Sequence, residues 1–330
     1  MKAFRCIRYG SPDVLELHDI DLPAVGDDDV LVDVKAASVN PLDFHVMRGT
    51  PYVLRSQTGL SRPKPIGLGG DMAGRVEAVG RNVTRFRPGD EVFGGRGMAP
   101  IARSAAFAEY ASFHQDGMLQ KKPANLTFEE AAAVPVAGIS ALQALRDKAR
   151  VRPGHRVLVN GAGGGVGTFA VQLAKAYGAE VTGVCGTGNV EMVRSLGADH
   201  VVDYTRDDVT RGGRRYDVMI DMAGNHPLSA IRRMLAPKGV LVAVGGPVKG
   251  LWVAPFTGPL KLLALSLAGS RRLSPMLARA RGDDLDVLRE FAETGKITPV
   301  IDRTYPLKEL PEAVRYLEKG HARGKVVITV

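Results

Sequence analysis

The chain has 330 residues, 45% of them hydrophobic and 24% charged, with a formal net charge of +9. That composition excludes a disordered or fibrous polymer and supplies a core for one or two domains. The basic residues are scattered apart from 211–215 and 271–281 and have no aromatic interleaving, so the charge reads as a general surface bias and no nucleic-acid partner is expected.

The opening MKAFRCIRYG lacks the apolar core of a secretory signal and passes directly into strand-like sequence carrying Cys6. Short segments with glycine and proline punctuation follow: VLVDVKAASV (30–39), GRVEAVG (74–80), GDEVFGG (89–95) and AFAEYASF (106–113). Their spacing predicts a compact, barrel-like β domain. Asn40 and Asp43 read as a loop beside Pro41, just past a strand end.

The pattern then changes. Thr127-Phe-Glu-Glu130 is a capping box that opens an alanine-rich helix, and Pro135 interrupts it. HRVLVNGA (155–162) reads as a buried strand. VGTFAVQLAKAYG (166–178) reads as a helix, with Phe169, Ala170, Leu173 and Tyr177 on one face and Gly178 as its stop. EVTGVC (180–185), carrying Cys185, is the next strand, and VEMVRSLG (190–197) the next helix. HVVDY, YDVMIDMAG and GVLVAVGG supply further strands, with a helix near 227–235. This alternation predicts a parallel, doubly wound sheet.

The apolar segment 256–268 reads as a helix over that core or a dimer contact, or alternatively as a wall of a greasy cleft or a membrane-surface contact. Its neighbourhood is too short and interrupted to span a bilayer. The tail supplies a strand (297–306), a helix (310–320) and a last strand (325–330) in the style of the first domain. The expected fold is α/β: a Rossmann domain, 125–295, inserted in a β-barrel-type catalytic domain made of 1–124 and 296–330. Two distant cysteines without clustered histidines predict buried thiols, no structural zinc and a reducing, cytoplasmic setting with no transmembrane segment.

The strongest motif is NGAGGGVG, Asn160–Gly167, directly after a strand and directly before a helix. Ala162, Gly164 and Gly167 hold the fingerprint positions, with Gly165 and Val166 between them. A bare Gly164 lets backbone N–H groups approach a pyrophosphate, and Gly167 lets helix and strand pack closely. The tip of the second strand, Cys185–Asn189, carries no acid that would bind a ribose diol and repel a 2′-phosphate. Thr187, Asn189, Tyr204 and Arg206 are placed to cradle that phosphate, while Gly186 and Gly188 offer no side chain. NADPH is the expected cofactor, ahead of NADH.

Together, SVNPLDFHVMRG (38–49), GGDMAGRVEAVG (69–80), PGDEVFG (88–94), NGAGGGVG, LGADHVVDY (196–204) and GHARGKVVITV (320–330) resemble the medium-chain dehydrogenase/reductase superfamily. Within it, the chain is similar to the zinc-free quinone oxidoreductase branch, which includes zeta-crystallin-like proteins and the reticulon-interacting mitochondrial oxidoreductase. The resemblance covers the whole chain and implies a GroES-like barrel interrupted by a Rossmann domain. Zinc-dependent relatives carry a catalytic Cys where this chain has Asn40, and a His-Glu pair where it has Gly70-Asp71. Neither Asn nor Gly is a zinc ligand of that kind.

The resemblance further implies that Ser140 sits near the nicotinamide or its phosphate. It puts Met222, Ala223 and Gly224 beside the adenosine ribose, and Gly245 and Gly246 against the nicotinamide. Lys325 is expected to reach the cofactor phosphates, and Asn40 and Asp43 to line the substrate cleft. Bacterial quinone oxidoreductases often have Tyr where this chain has His45, which is therefore either a proton donor or a rim and packing residue. Asp71 is either a cleft carboxylate or a structural one. A homodimer is implied, built by pairing the GVLVAVGG strands edge to edge.

The expected activity is hydride transfer from NADPH to a quinone or α,β-unsaturated carbonyl without zinc. One alternative is an NADPH-binding regulatory protein that binds RNA or another partner on the same fold. The other is a zinc alcohol dehydrogenase.

Overall fold

The computed structural model describes residues 1–64, 66–96, 105–245 and 272–330. Gly246 and the segment 256–268 lie outside the described residues.

By their internal contacts the residues form two units: Met1–Ile139 with Arg279–Val330, and Ser140–Ala278. The division falls later than 124 and earlier than 296. The reason is two helices that pack on barrel strands, Phe128–Ala132 and Gly282–Glu293. Thr127 caps the first: its hydroxyl accepts from the Glu130 N–H, and the Glu130 carboxylate accepts from the Thr127 N–H. The second is tied down by Gln120, which donates to Asp286 at 2.6 Å, and by Asn125, which donates to the Ala292 carbonyl at 2.8 Å. Pro135 does interrupt the alanine-rich stretch, because one helix stops at Ala132 and another starts at Pro135.

In the first unit, strands β1 (Lys2–Cys6), β2 (Leu15–Asp19) and β4 (Ile66–Gly67) make a small sheet in the order β2-β1-β4. The larger sheet uses β3 (Asp29–Val39), β5 (Asp71–Val79), β6 (Glu91–Gly95), β7 (Tyr110–His114), β8 (Met118–Lys121), β15 (Ile301–Pro306) and β16 (Lys325–Thr329). Its order is β15-β16-β3-β5-β6-β8, with β7 also pairing β3. The last strand lies antiparallel to β3, with Val326 opposite Val39, so the C-terminal segment completes this sheet. Val32, Val34, Met72, Val76, Phe107 and Leu119 belong to its buried core.

The second unit has one sheet of β9 (Arg156–Asn160), β10 (Glu180–Cys185), β11 (His200–Asp203), β12 (Tyr216–Asp221), β13 (Leu235–Ala243) and β14 (Arg272–Pro275). All pairs are parallel, in the order β11-β10-β9-β12-β13-β14. The strands read as near-continuous apolar runs because helices cover both faces of such sheets. The order reverses between β9 and β12, and the crevice beyond the strand ends at such a point is where this architecture binds dinucleotides. One expectation fails here. The GVLVAVGG strand is β13, and β12 and β14 pair with it on either side. Its backbone donors and acceptors are already used, so it has no edge to offer a second copy.

Candidate active site

In the second unit, β9 leads into the glycine turn. Gly161 has φ +93°, a left-handed conformation that other residues adopt only under strain. The N–H groups of Gly161 and Ala162 donate to the Val184 carbonyl, locking the turn to β10. Gly164, with φ −90°, caps the twelve-residue helix Gly165–Ala176. Gly165 and Val166 form its first turn. A Cβ on Gly167 would stand 2.1 Å from the Gly161 carbonyl oxygen, so close packing of helix on turn requires glycine there. Gly164 is different. Beyond its own chain neighbours, a Cβ there would meet nothing among the described residues closer than the Gly161 carbonyl oxygen at 3.7 Å. The turn therefore leaves open space in front of Gly164, at a helix N-terminus suited to an anion.

A polar clamp that the motif did not reveal fixes the neighbouring loop. The Asn160 amide donates to Asp221 at 2.8 Å and to Asn225 at 2.9 Å, and both Asn160 and Asp221 are buried. Asp221 also accepts from the N–H groups of Ala223 and Gly224, and Met222 donates to the Asn160 carbonyl. Met222, Ala223 and Gly224 are thus pinned next to the glycine turn. Gly245 joins them, since a Cβ there would lie 3.1 Å from the Met222 carbonyl oxygen. The signal for this clamp is a carboxylate, Asp221, directly after the apolar run Val218–Ile220. Ser140 is buried at the start of this unit.

At the tip of β10, Gly186 caps a short turn, Thr187–Asn189. The Asn189 amide lies over Gly163, where an added Cβ would meet it at 2.6 Å. Tyr204 is 57% exposed and its hydroxyl lies beside Gly186. The tip does have a carboxylate, from the adjacent strand. Asp203 pairs with Cys185 in register and accepts from the Thr187 hydroxyl at 2.7 Å. Arg206 approaches Asp203 at 3.7 Å. Both cysteines are buried free thiols, and burial pushes each up to about 11, so both stay protonated at neutral pH.

In the first unit, residues far apart in sequence converge. Asn40 caps the helix Pro41–Arg48, and Asp43 sits in its first turn. The expected loop is therefore a helix, with proline at a position that needs no N–H donor. Asp43 accepts from the N–H of Asn40 at 2.8 Å and of Gly69 at 3.0 Å, with Arg96 3.8 Å away. Burial pushes its carboxyl up, opposed first by Arg96 and then by the two N–H groups. Asp43 is thereby committed to holding the helix start.

Lys325, only 4% exposed, donates to Asn40 Oδ1 at 2.7 Å and approaches Asp71 Oδ2 and the Val39 carbonyl at 3.4 Å each. Asp71 is fully buried and also accepts from the Asn40 amide at 2.9 Å, from Ser38 at 3.0 Å and from the Val136 N–H at 2.9 Å. Burial pulls the Lys325 ammonium down, opposed by Asp71 and Asp43. An ammonium has three donor hydrogens, and three buried oxygens face them. Asn40 is likewise engaged through both ends of its amide. His45 is half-buried, its Nδ1 3.1 Å from the Thr50 carbonyl oxygen, and burial pulls it down, so it is neutral at pH 7 and a poor proton donor.

The residues at the family's catalytic metal position do not fit zinc. Asn40 and Asp71 supply only oxygen and amide donors, and the Lys325 ammonium already sits against both. A second cation would meet its charge at close range in a buried site. Metal analysis of chelator-washed protein is expected to find far less than one zinc per chain. A full equivalent would contradict this reading of the donor set.

Family models for an alcohol dehydrogenase GroES-like domain and a zinc-binding dehydrogenase match residues 26–124 and 196–328. The chain is 32% identical to a chloroplast envelope quinone oxidoreductase homolog of Arabidopsis thaliana, over 99% of this chain and 98% of the relative. It is 34% identical to an NADPH-dependent alkenal/one oxidoreductase of the same plant, over 99% of this chain and 79% of that one. The solved quinone oxidoreductase of Coxiella burnetii superposes with a TM-score of 0.87 at 30% identity, over 100% of this chain and 99% of its own. The fold, the nucleotide-type turn and these full-length similarities agree: the chain belongs to the medium-chain dehydrogenase/reductase superfamily, in its quinone oxidoreductase branch.

Proposed function

We propose that the protein is an NADPH-dependent oxidoreductase that delivers a hydride to a quinone or α,β-unsaturated carbonyl without zinc. The observation that carries this is the turn at Gly164. It is open on the ligand side, closed behind by Gly167, and set at the end of the central strand of a parallel sheet. Ala162–Gly167 would hold the pyrophosphate through backbone N–H groups, and Met222–Gly224 with Gly245 would flank the rest of the dinucleotide. Thr187, Asn189, Tyr204 and Arg206 would face the adenosine ribose.

Bound NADPH supplies the hydride. The protein's part is to position the two reactants and exclude water. The metal-position residues offer no free cation, because Lys325 is held by Asn40, Asp71 and a main-chain carbonyl. A simple alkoxide would go unstabilised there. Conjugated acceptors spread the incoming charge themselves, and the relatives' names point the same way.

A cytoplasmic homodimer belongs to this reading, with β14 in place of β13 as the outer strand. No described helix is long and apolar enough to cross a membrane. NADPH oxidation, followed by loss of nicotinamide absorbance, is expected with benzoquinones, naphthoquinones and enones. Primary alcohols with NADP+ should give no reduction. Brisk alcohol oxidation, or silence across the acceptor panel, would reverse the assignment.

A further inference from the structure

We propose that Asp203, acting through Thr187, biases the cofactor site against a 2′-phosphate and so holds its NADPH preference down. The inference rests on the dinucleotide reading above and concerns one part of it, the 2′ position of the adenosine ribose.

A threonine hydroxyl has a single hydrogen to donate and two lone pairs to accept with. Thr187 Oγ1 lies 2.7 Å from Asp203 Oδ2. An ionised carboxylate only accepts, so a contact that short requires the Thr187 proton to point at Asp203. The carboxylate is well held. Its other oxygen accepts from the Thr205 N–H at 3.0 Å and lies 2.8 Å from the Thr205 hydroxyl. The two threonine hydroxyls are themselves 2.8 Å apart. Whichever acceptor takes the Thr205 proton, the Thr187 proton stays with Asp203. These contacts, the Thr187 hydroxyl first among them, hold the Asp203 carboxyl below the usual range, so it is ionised at neutral pH.

Thr187 follows Gly186 at the tip of β10, the second strand of this unit in chain order, and in this architecture that tip meets the adenosine ribose. With its proton turned inward, Thr187 presents lone pairs to the ligand. Lone pairs suit the 2′-hydroxyl of NADH, which can donate a hydrogen. They do not suit a 2′-phosphate, which has acceptor oxygens and negative charge. The Asp203 charge adds repulsion to that phosphate, and Arg206, 3.7 Å from Asp203, is drawn toward the carboxylate. The β10 tip carries no acid of its own, and the neighbouring strand supplies one instead.

The test is fluorescence titration of NADPH and NADH into the wild-type protein, Asp203→Asn and Thr187→Val. Asp203→Asn keeps the side-chain shape and an acceptor for Thr205, removes the charge and frees the Thr187 proton. NADPH should bind about 3- to 10-fold more tightly to it, with NADH within about twofold of wild type. Thr187→Val removes the lone pairs and should weaken NADH about 3- to 10-fold, with a smaller effect on NADPH. If the wild type binds both cofactors and Asp203→Asn leaves their ratio unchanged, the inference fails while the dinucleotide reading stands. If the wild type binds neither, both fail together.

Discussion

Gly164→Val is expected to weaken NADPH binding by about 100-fold or more while leaving the protein folded. Gly164 has φ −90°, which valine adopts without strain, and beyond its chain neighbours the nearest described atom to a Cβ there is the Gly161 carbonyl oxygen at 3.7 Å. The side chain therefore costs the empty protein little. It would fill the space in which a pyrophosphate approaches the backbone N–H groups of the helix start. Gly167 makes the contrast. A Cβ there would stand 2.1 Å from a main-chain oxygen, so Gly167→Ala should lower the melting temperature directly. Titration of NADPH beside a circular-dichroism melt separates the cases. Wild-type affinity in Gly164→Val would mean that the turn does not hold a nucleotide.

The second large effect concerns stability. Lys325→Met should destabilise the first unit by about 3–5 kcal/mol, the usual consequence of stripping the partner from a buried charge. Asp71 is fully buried and receives hydrogens from Ser38, Asn40 and the Val136 N–H, and among the described residues Lys325 is the cation that forms an ion pair with it, at 3.4 Å. Removing the ammonium also leaves Asn40 Oδ1 without its 2.7 Å donor. Adding Asp71→Asn to Lys325→Met removes the stranded charge and should recover much of the loss. Urea denaturation of the four proteins in this cycle gives the coupling. An unchanged midpoint in Lys325→Met would show that the ion pair contributes nothing. Full additivity would show that the two residues do not interact.

Much of the architecture was legible because it rests on periodicity. The strand–turn–helix at Arg156–Ala176 and the strands of the second unit announced themselves as apolar runs closed by glycine. The helix Pro41–Arg48 was missed although its signals were present. Asn at the cap, Pro at the first position and Asp at the third mark a helix start as well as a turn.

The two polar clusters were not legible for a different reason: both arise from strand register. Lys325 meets Asn40 because β16 lies antiparallel to β3 with Val326 opposite Val39, a pairing across the whole chain. Asp203 meets Thr187 because β11 runs parallel to β10 with Asp203 beside Cys185. Reading the β10 tip in isolation found no acid, and none of its own residues is one. The resemblance implies a dimer contact on β13, and the pairing of β14 with that strand excludes an edge there.

The proposed reaction is transfer of a hydride from the nicotinamide to a carbon of a conjugated acceptor. Its most direct test is isotopic: NADPH deuterated at the transferable nicotinamide position is incubated with the protein and an enone, and the product is analysed by mass spectrometry and NMR. The account predicts one deuterium at the β-carbon of the saturated ketone, with the α-hydrogen drawn from solvent. Product lacking deuterium at that carbon, or deuterium found only on an alcohol carbon formed by direct carbonyl reduction, would contradict it.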